Sequence, residues 1–159
     1  MAIEKVKTYF QSRNMAHRLK EFDSSSATVE LAAKAAGCIP ARIAKTLTFE
    51  DDQGCILIVT AGDARIDNSK FKGFFNKKAT MLKPEDVLSL TGHAIGGVCP
   101  FAITDDRVKT YLDVSLKRFD TVFPAGGSSN SAIELTIDEL YEHGKAIEFI
   151  DVCKNWQEI

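Results

Sequence analysis

Between Thr91 and Phe101 the chain reads Thr-Gly-His-Ala-Ile-Gly-Gly-Val-Cys-Pro-Phe, three glycines and a proline in one short run. Glycine allows close approach to the backbone and proline stiffens the exit. Such a run leaves main-chain N–H groups uncovered and aimed, which suits a pocket that grips a small polar group. The same composition also serves a tight bend between two packed layers. Lys45 enters an apolar strand in Ile43-Ala44-Lys45-Thr46-Leu47. A charge there is costly unless an anion faces it, the alternative being a lysine that snorkels from a strand edge to water. Asp63, Arg65 and Asp67 alternate after the next apolar run, either as a binding site or as a local ion-pair and capping network. Gly126-Gly127-Ser128-Ser129-Asn130-Ser131 offers many donors and acceptors on little bulk, as a pocket wall or as an exposed hairpin loop. His93 and Cys99 share the Gly-rich run, the parts of a thiolate nucleophile with a histidine base. A cysteine between valine and proline is equally an ordinary small buried hydrophobe. Of the other two histidines, His17 reads as a strand-surface residue and His143, just before Gly144, as a helix C-terminal charge.

Four segments taken in order carry a resemblance: Ile43-Ala44-Lys45-Thr46-Leu47, Gly62-Asp63-Ala64-Arg65-Ile66-Asp67, the Gly96–Pro100 loop, and Phe123-Pro124-Ala125-Gly126-Gly127 ahead of Ile133-Glu134-Leu135-Thr136. Together they resemble the YbaK family of aminoacyl-tRNA deacylases, free-standing relatives of the editing domain inserted in bacterial prolyl-tRNA synthetase. The resemblance spans nearly the whole chain. It implies an α/β (α+β) fold, with a mixed, curved, partly barrel-like sheet flanked by helices and a cleft on one face. It also implies a hydrolase without cofactor or metal that deacylates a mischarged aminoacyl-tRNA, above all tRNA for proline carrying a small amino acid. Its partners would be the aminoacyl-tRNA 3′ end and prolyl-tRNA synthetase.

By the same resemblance, Lys45 and Gly97 are the catalytic positions. Lys45 would engage the terminal adenosine phosphate or the aminoacyl group. The Gly96–Pro100 loop matches the family's GxxxP pattern, and its main chain would hold the oxyanion, where losing one donor costs about 3 kcal/mol of barrier in other enzymes. Thr46, Gly96, Val98, Cys99 and Pro100 would contact substrate, with Gly127, Ser128 and Asn130 lining the amino-acid pocket and Phe22 completing it. An aminoacyl ester is already activated, so a positioned water and an oxyanion site suffice, and in such relatives a terminal ribose hydroxyl helps activate the water. Relatives that remove cysteine from the proline tRNA carry a serine and an aspartate around the polar loop, where this chain has Ala125 and Ala132, and a tyrosine where it has Phe22. A pocket for alanine, serine, threonine or another small residue is therefore expected, with some promiscuity, since apolar pockets separate single methylenes by only about 1–3 kcal/mol.

These residues need elements to hold them. Ile3, Val6, Phe10 and Met15 fall near helical spacing, predicting a surface helix over 2–13, with a short strand over 16–22. Ser24-Ser25-Ser26 offers a cap for a helix over 27–36 that Gly37 stops. Pro40 opens a short helix; strands over 44–49 and 55–60 flank the turn at Asp51-Asp52-Gln53-Gly54. Asp67-Asn68-Ser69 caps a helix to about Phe75, and Pro84-Glu85-Asp86 opens another ending near Gly92. Short strands are expected over 99–103, 110–115 and 120–123. Thr136-Ile137-Asp138-Glu139 has the capping-box pattern, Gly144 stops that helix, and 146–151 is a last strand.

Twenty basic against 22 acidic residues give a net charge of −2, which excludes the strongly basic signature of a dedicated nucleic-acid binder. Any RNA contact must be local. Basic residues gather at Lys70, Lys72, Lys77 and Lys78 and at Arg107, Lys109, Lys117 and Arg118, as solvated faces or as a salt-sensitive RNA contact. A length of 159 residues with 45% hydrophobic content predicts one domain over 1–159 with a real core. Cys38, Cys55, Cys99 and Cys153 have neither zinc-ligand nor disulfide-framework spacing. The first residues begin an amphipathic helix rather than a signal core, and no run approaches the roughly 18 apolar residues of a membrane span. A reducing cytoplasm is the economical expectation. Two rival readings are a non-catalytic module of the same fold that holds a tRNA end or a synthetase, and hydrolysis of another small ester or thioester through Cys99, which a thiol alkylator would stop.

Overall fold

Ile3, Val6 and Phe10 form the buried face of α1 (Ala2–Gln11) in the computed structural model, which describes residues 2–156. Arg18 N–H bonds back to Met15 O, so Ala16–Arg18 winds into a 3-10 turn and the strand expected over 16–22 shortens to β1 (Leu19–Glu21). Helix α2 (Val29–Ala36) is capped by Thr28, whose hydroxyl accepts from Leu31 N–H at 3.2 Å, and ends at Gly37 with φ 73°. The serines expected to cap it turn elsewhere: Ser26 N–H and the Ser25 hydroxyl both reach Ser129 O, at 2.6 and 3.4 Å.

After a 3-10 turn at Pro40–Arg42, β2 (Ile43–Glu50) and β3 (Cys55–Ala61) form a hairpin registered from Ala44↔Ala61 to Glu50↔Cys55. Every residue of β3 is buried, as its unbroken apolar run requires. The strand β4 (Arg65–Ile66) leads to α3 (Asn68–Phe75), where Asp67 Oδ1 accepts from Ser69 and Lys70 N–H. Helix α4 (Pro84–Thr91) has its proline in the first turn and Gly92 at φ 78° beyond its end. There follow β5 (Val108–Asp113), a 3-10 turn at Val114–Arg118, β6 (Thr121–Pro124), β7 (Ser131–Ile133), β8 (Leu135–Thr136), α5 (Ile137–His143), β9 (Phe149–Ile150) and β10 (Cys153–Lys154). The capping box at Thr136 and Glu139 is formed in both directions.

The expected strand over 99–103 is absent. Pro100 has no N–H to give a ladder, Ala102 is left-handed at φ 57°, and Phe101 O is taken by the His93 ring. The strand expected over 146–151 shortens to β9, which joins the main sheet, and β10, beyond those bounds, pairs with β4. Six strands in the order β8-β6-β2-β3-β5-β9 curl into a mixed half barrel, parallel at β6/β2, β3/β5 and β5/β9. This is the mixed, curved sheet flanked by helices that the resemblance implied. Its core joins Phe10, Leu57, Ile58, Phe71, Phe101 and Leu112, while α2 packs Ala32 and Ala33 on Ile43. Asp113 locks the far side: its carboxylate accepts from Ser115 and Val152 N–H at 2.9 and 3.0 Å. No described helix is long and apolar enough to cross a membrane.

Candidate active site

The site follows from where β6 leaves β2. The two pair only through Ile43↔Phe123 and Ala44↔Pro124, and the bridge Phe49↔Met81 closes the far end. Between these points one edge of β2 faces a cavity instead of a strand. Leu82 N–H donates to Thr48 O and Glu50 N–H donates to Thr80 O, so even-numbered residues of β2 turn their peptide groups away from β3. Thr46 lies between Ala44 and Thr48 in that alternation, which directs its N–H and C=O to the open edge. Its hydroxyl is buried without a partner among the described residues.

The cavity measures about 190 Å³, below the roughly 300–1,000 Å³ of drug-sized sites, so it suits a small group rather than a whole nucleotide. Lys45 and Thr46 line it on one side and Gly96 and Val98 on another. Ala125 and Ala132, joined by a single antiparallel bridge, contribute small side chains. Ile95 and Met81, which also line the cavity, remain 61% and 58% exposed, large apolar surface left open.

Lys45 is half-buried, and among the described residues its ammonium has no ion-pair partner. Burial lowers its pKa below the usual lysine value, and the Arg65 charge nearby lowers it further. Cys153, Asp63 and Glu30 oppose that shift without overcoming it. A lysine so placed is a weakly solvated cation ready for an incoming anionic or carbonyl oxygen.

The Gly-rich loop is built differently from the expectation in one respect. Gly97 N–H donates to Ala94 O at 3.0 Å, closing a turn, and is therefore already used. A Cβ on Gly97 would stand 2.7 Å from the Ser128 main chain, so this glycine exists to let two loops touch. Gly96, at φ 96°, and Val98 are the loop residues on the cavity. Cys99 and Pro100 are buried behind it, with Pro100 against the position a Gly144 side chain would fill. Burial pushes the Cys99 thiol up to about 12. His93 Nε2 faces Phe101 O at 2.8 Å, and a carbonyl only accepts, so that nitrogen carries the proton. It cannot take one from Cys99 Sγ, 3.5 Å away, and burial further lowers the basicity of the ring. This pair is not an activated thiolate.

The polar loop also lies elsewhere than expected. The Ser128 hydroxyl donates to Asn130 Oδ1 and lies 2.7 Å from Ser131 Oγ, Asn130 Nδ2 donates to Phe22 O, and Phe22 N–H donates to Asn130 O. These groups fasten the loop to β1 and leave little for a ligand. Gly127 packs on Ala2 and Val6 of α1, and Phe22 lines a separate depression of about 720 Å³ with His17, Arg18 and Glu134. In their place, Ser26, Ala27 and Thr28 at the entrance to α2, with Ser131, reach the cavity. Sequence reasoning missed Ser26, Ala27 and Thr28 because bonds from Ser25 and Ser26 to Ser129 O, more than 100 residues away, bring this segment across.

The family described as aminoacyl-tRNA editing domain matches residues 23–142. The chain is 55% identical over 159 residues to uncharacterized protein YwhH of Bacillus subtilis (strain 168), covering 99% of this chain and 100% of that one. It is 23% identical over 129 residues to proline–tRNA ligase of Thermotoga maritima, covering 76% of this chain and 22% of the ligase. The crystal structure of a protein proposed as a trans-editing enzyme for prolyl tRNA synthetase superposes with a TM-score of 0.86 at 29% identity, over 96% of this chain and 97% of that one.

Proposed function

The chain belongs to the aminoacyl-tRNA editing domain family, and from that premise we propose that it is a free-standing deacylase of mischarged aminoacyl-tRNA, with tRNA for proline carrying a small amino acid as its substrate. The observation that carries this reading is the shared cavity of Lys45, Thr46, Gly96 and Val98, small enough for an aminoacyl group and bounded by Ala125 and Ala132. Lys45 anchors the esterified end through its ammonium. Main-chain donors of Gly96 and Val98, with the edge peptide of Thr46, face the carbonyl oxygen as negative charge develops there. The oxygen of a water bonds to the carbonyl carbon, the bond from that carbon to the ribose oxygen breaks, and the water's proton ends on the ribose oxygen. A neighbouring ribose hydroxyl positions the water, so no protein base is required. Free amino acid and tRNA leave.

The alanine pair at the cavity supports small, weakly polar amino acids over cysteine-type substrates. Purified protein incubated with tRNA for proline mischarged with labelled alanine, serine, threonine or cysteine is expected to release one or more of the first three. Lys45→Ala should slow release on the order of 100-fold, the range for losing one transition-state contact. No release from any member, or full activity of Lys45→Ala, defeats the proposal, and binding without ester loss assigns the chain to a module that holds the tRNA end.

A further inference from the structure

We propose that the basin lined by Lys45, Arg65 and Lys154 holds the phosphodiester backbone of the single-stranded RNA 3′ end whose terminal ester enters the cavity; this rests on the deacylase reading and adds the path of the strand. The basin, about 690 Å³, adjoins the cavity through Val29, Lys45, Leu47 and Met81, so one ligand can occupy both.

The charge arrangement there is unlike the rest of the surface. In the antiparallel pair of β4 and β10, Arg65 stands directly opposite Lys154. Like charges at facing positions of a sheet repel and destabilise it. Neither has an ion-pair partner among the described residues. The pairing is held from below, since Asp67 N–H donates to Val152 O at 2.8 Å and Val152 N–H to Asp113 Oδ1. Two acids line the basin. Asp63 is gripped by both Arg118 Nη atoms, at 2.9 and 2.6 Å, and Glu30 alone remains against three cations.

Of the basic clusters conspicuous in the sequence, half the members are paired, while Lys72, Lys78, Lys109 and Lys117 have no ion pair among the described residues but do not line this basin. Lys70 meets Asp151, Lys77 meets Asp51 and Asp52, Arg107 meets Asp105 and Arg118 meets Asp63. Lys45, Arg65 and Lys154 come from three distant stretches and converge on one basin only in the fold. No described acid pairs with any of the three, and Asp63 is already held by Arg118, so the anion that relieves them comes from outside. A strand of RNA fits better than a free phosphate because the basin is elongated by the adjoining cavity, and exposed Met81 at their boundary offers a face for a base.

The test compares wild type with Arg65→Gln/Lys154→Gln for binding of an uncharged tRNA acceptor minihelix, with and without its single-stranded 3′ end, across a salt series. Removing two phosphate contacts should weaken binding of the tailed minihelix about tenfold or more at low salt. It should also reduce the slope of log K against log[salt] by about 1.4, near 0.7 per contact on a single strand. Blunt minihelix should bind both proteins alike. An unchanged slope, or an equal loss with the blunt form, overturns the proposal. The variant should also melt at or above the wild-type temperature because a repulsion is gone, and melting below it overturns the account by making the pair a structural contact. Binding needs no turnover, so a protein that deacylates nothing would sink the deacylase reading while this measurement still decides the groove.

Discussion

Lys45 is held where its charge is poorly solvated, and two consequences of opposite sign follow. The folded chain loses the Lys45 proton at a pH below the ordinary lysine value of 10.5, and the unfolded chain loses it at that value. Between the two, the unfolded state binds more protons, so this group's contribution to stability rises with pH across that window. On the proposed reading deacylation moves the other way, because the cation that would anchor the ester is disappearing. After subtraction of spontaneous ester hydrolysis, kcat/KM should fall on an alkaline limb centred below 10.5, and that limb should be missing from the residual activity of Lys45→Ala. The cysteines give a second test at the same scale. Burial pushes Cys55 up to about 11 and Cys99 up to about 12, whereas Cys38 is partly exposed. Iodoacetamide at neutral pH should label Cys38 slowly and leave Cys55, Cys99 and Cys153 unmodified by mass spectrometry, with deacylation preserved. Activity lost in step with labelling of Cys99 would restore the thiolate reading.

Among the elements, the loop from Gly92 to Pro100 depends on its glycines for different reasons, and Gly97 is the informative one to change. Gly97→Ala would drive a methyl into the Ser128 main chain at 2.7 Å, so one of the two loops must shift. A stability loss of about 1–3 kcal/mol is expected from the urea midpoint, as for other overpacking substitutions. A fall in kcat/KM should accompany it, because Gly96 and Val98 are carried on the same turn. Retained activity at reduced stability would separate the loop's packing from the site. What was legible in the sequence at this scale is whatever local chemistry decides: the Asp67 cap, Pro84 in a first turn, the Thr136–Glu139 box and the hairpin at Asp51–Gly54. Lys45, Thr46, Gly96 and Val98 were legible by their place in an ordered pattern. Where a group's partner lies far along the chain, the sequence was silent. Ser26 bonds to Ser129 rather than capping α2, Asn130 is spent on Phe22, and Phe101 O is claimed by His93.

Across the whole molecule, stability on the acid side should track His93. It is almost wholly buried, and burial lowers its folded pKa below the usual 6.5. Below pH 6.5 the unfolded chain takes up a proton that the folded chain resists, so the contribution present above 6.5 is lost as pH falls toward the folded value. The urea midpoint should decline over that interval in wild type and decline less in His93→Gln. The sheet's free edge has a further consequence. Unpaired peptide groups on a strand invite neighbouring molecules to add on, the usual hazard of open sheets. Here β6 guards one end of the gap at Ala44 and the Leu82 N–H to Thr48 O bond the other, so the open stretch runs only between Ala44 and Thr48, roughly 13 Å at about 3.3 Å per residue. That window is too narrow for a foreign strand to gain register, so the opening onto the cavity gives aggregation no foothold.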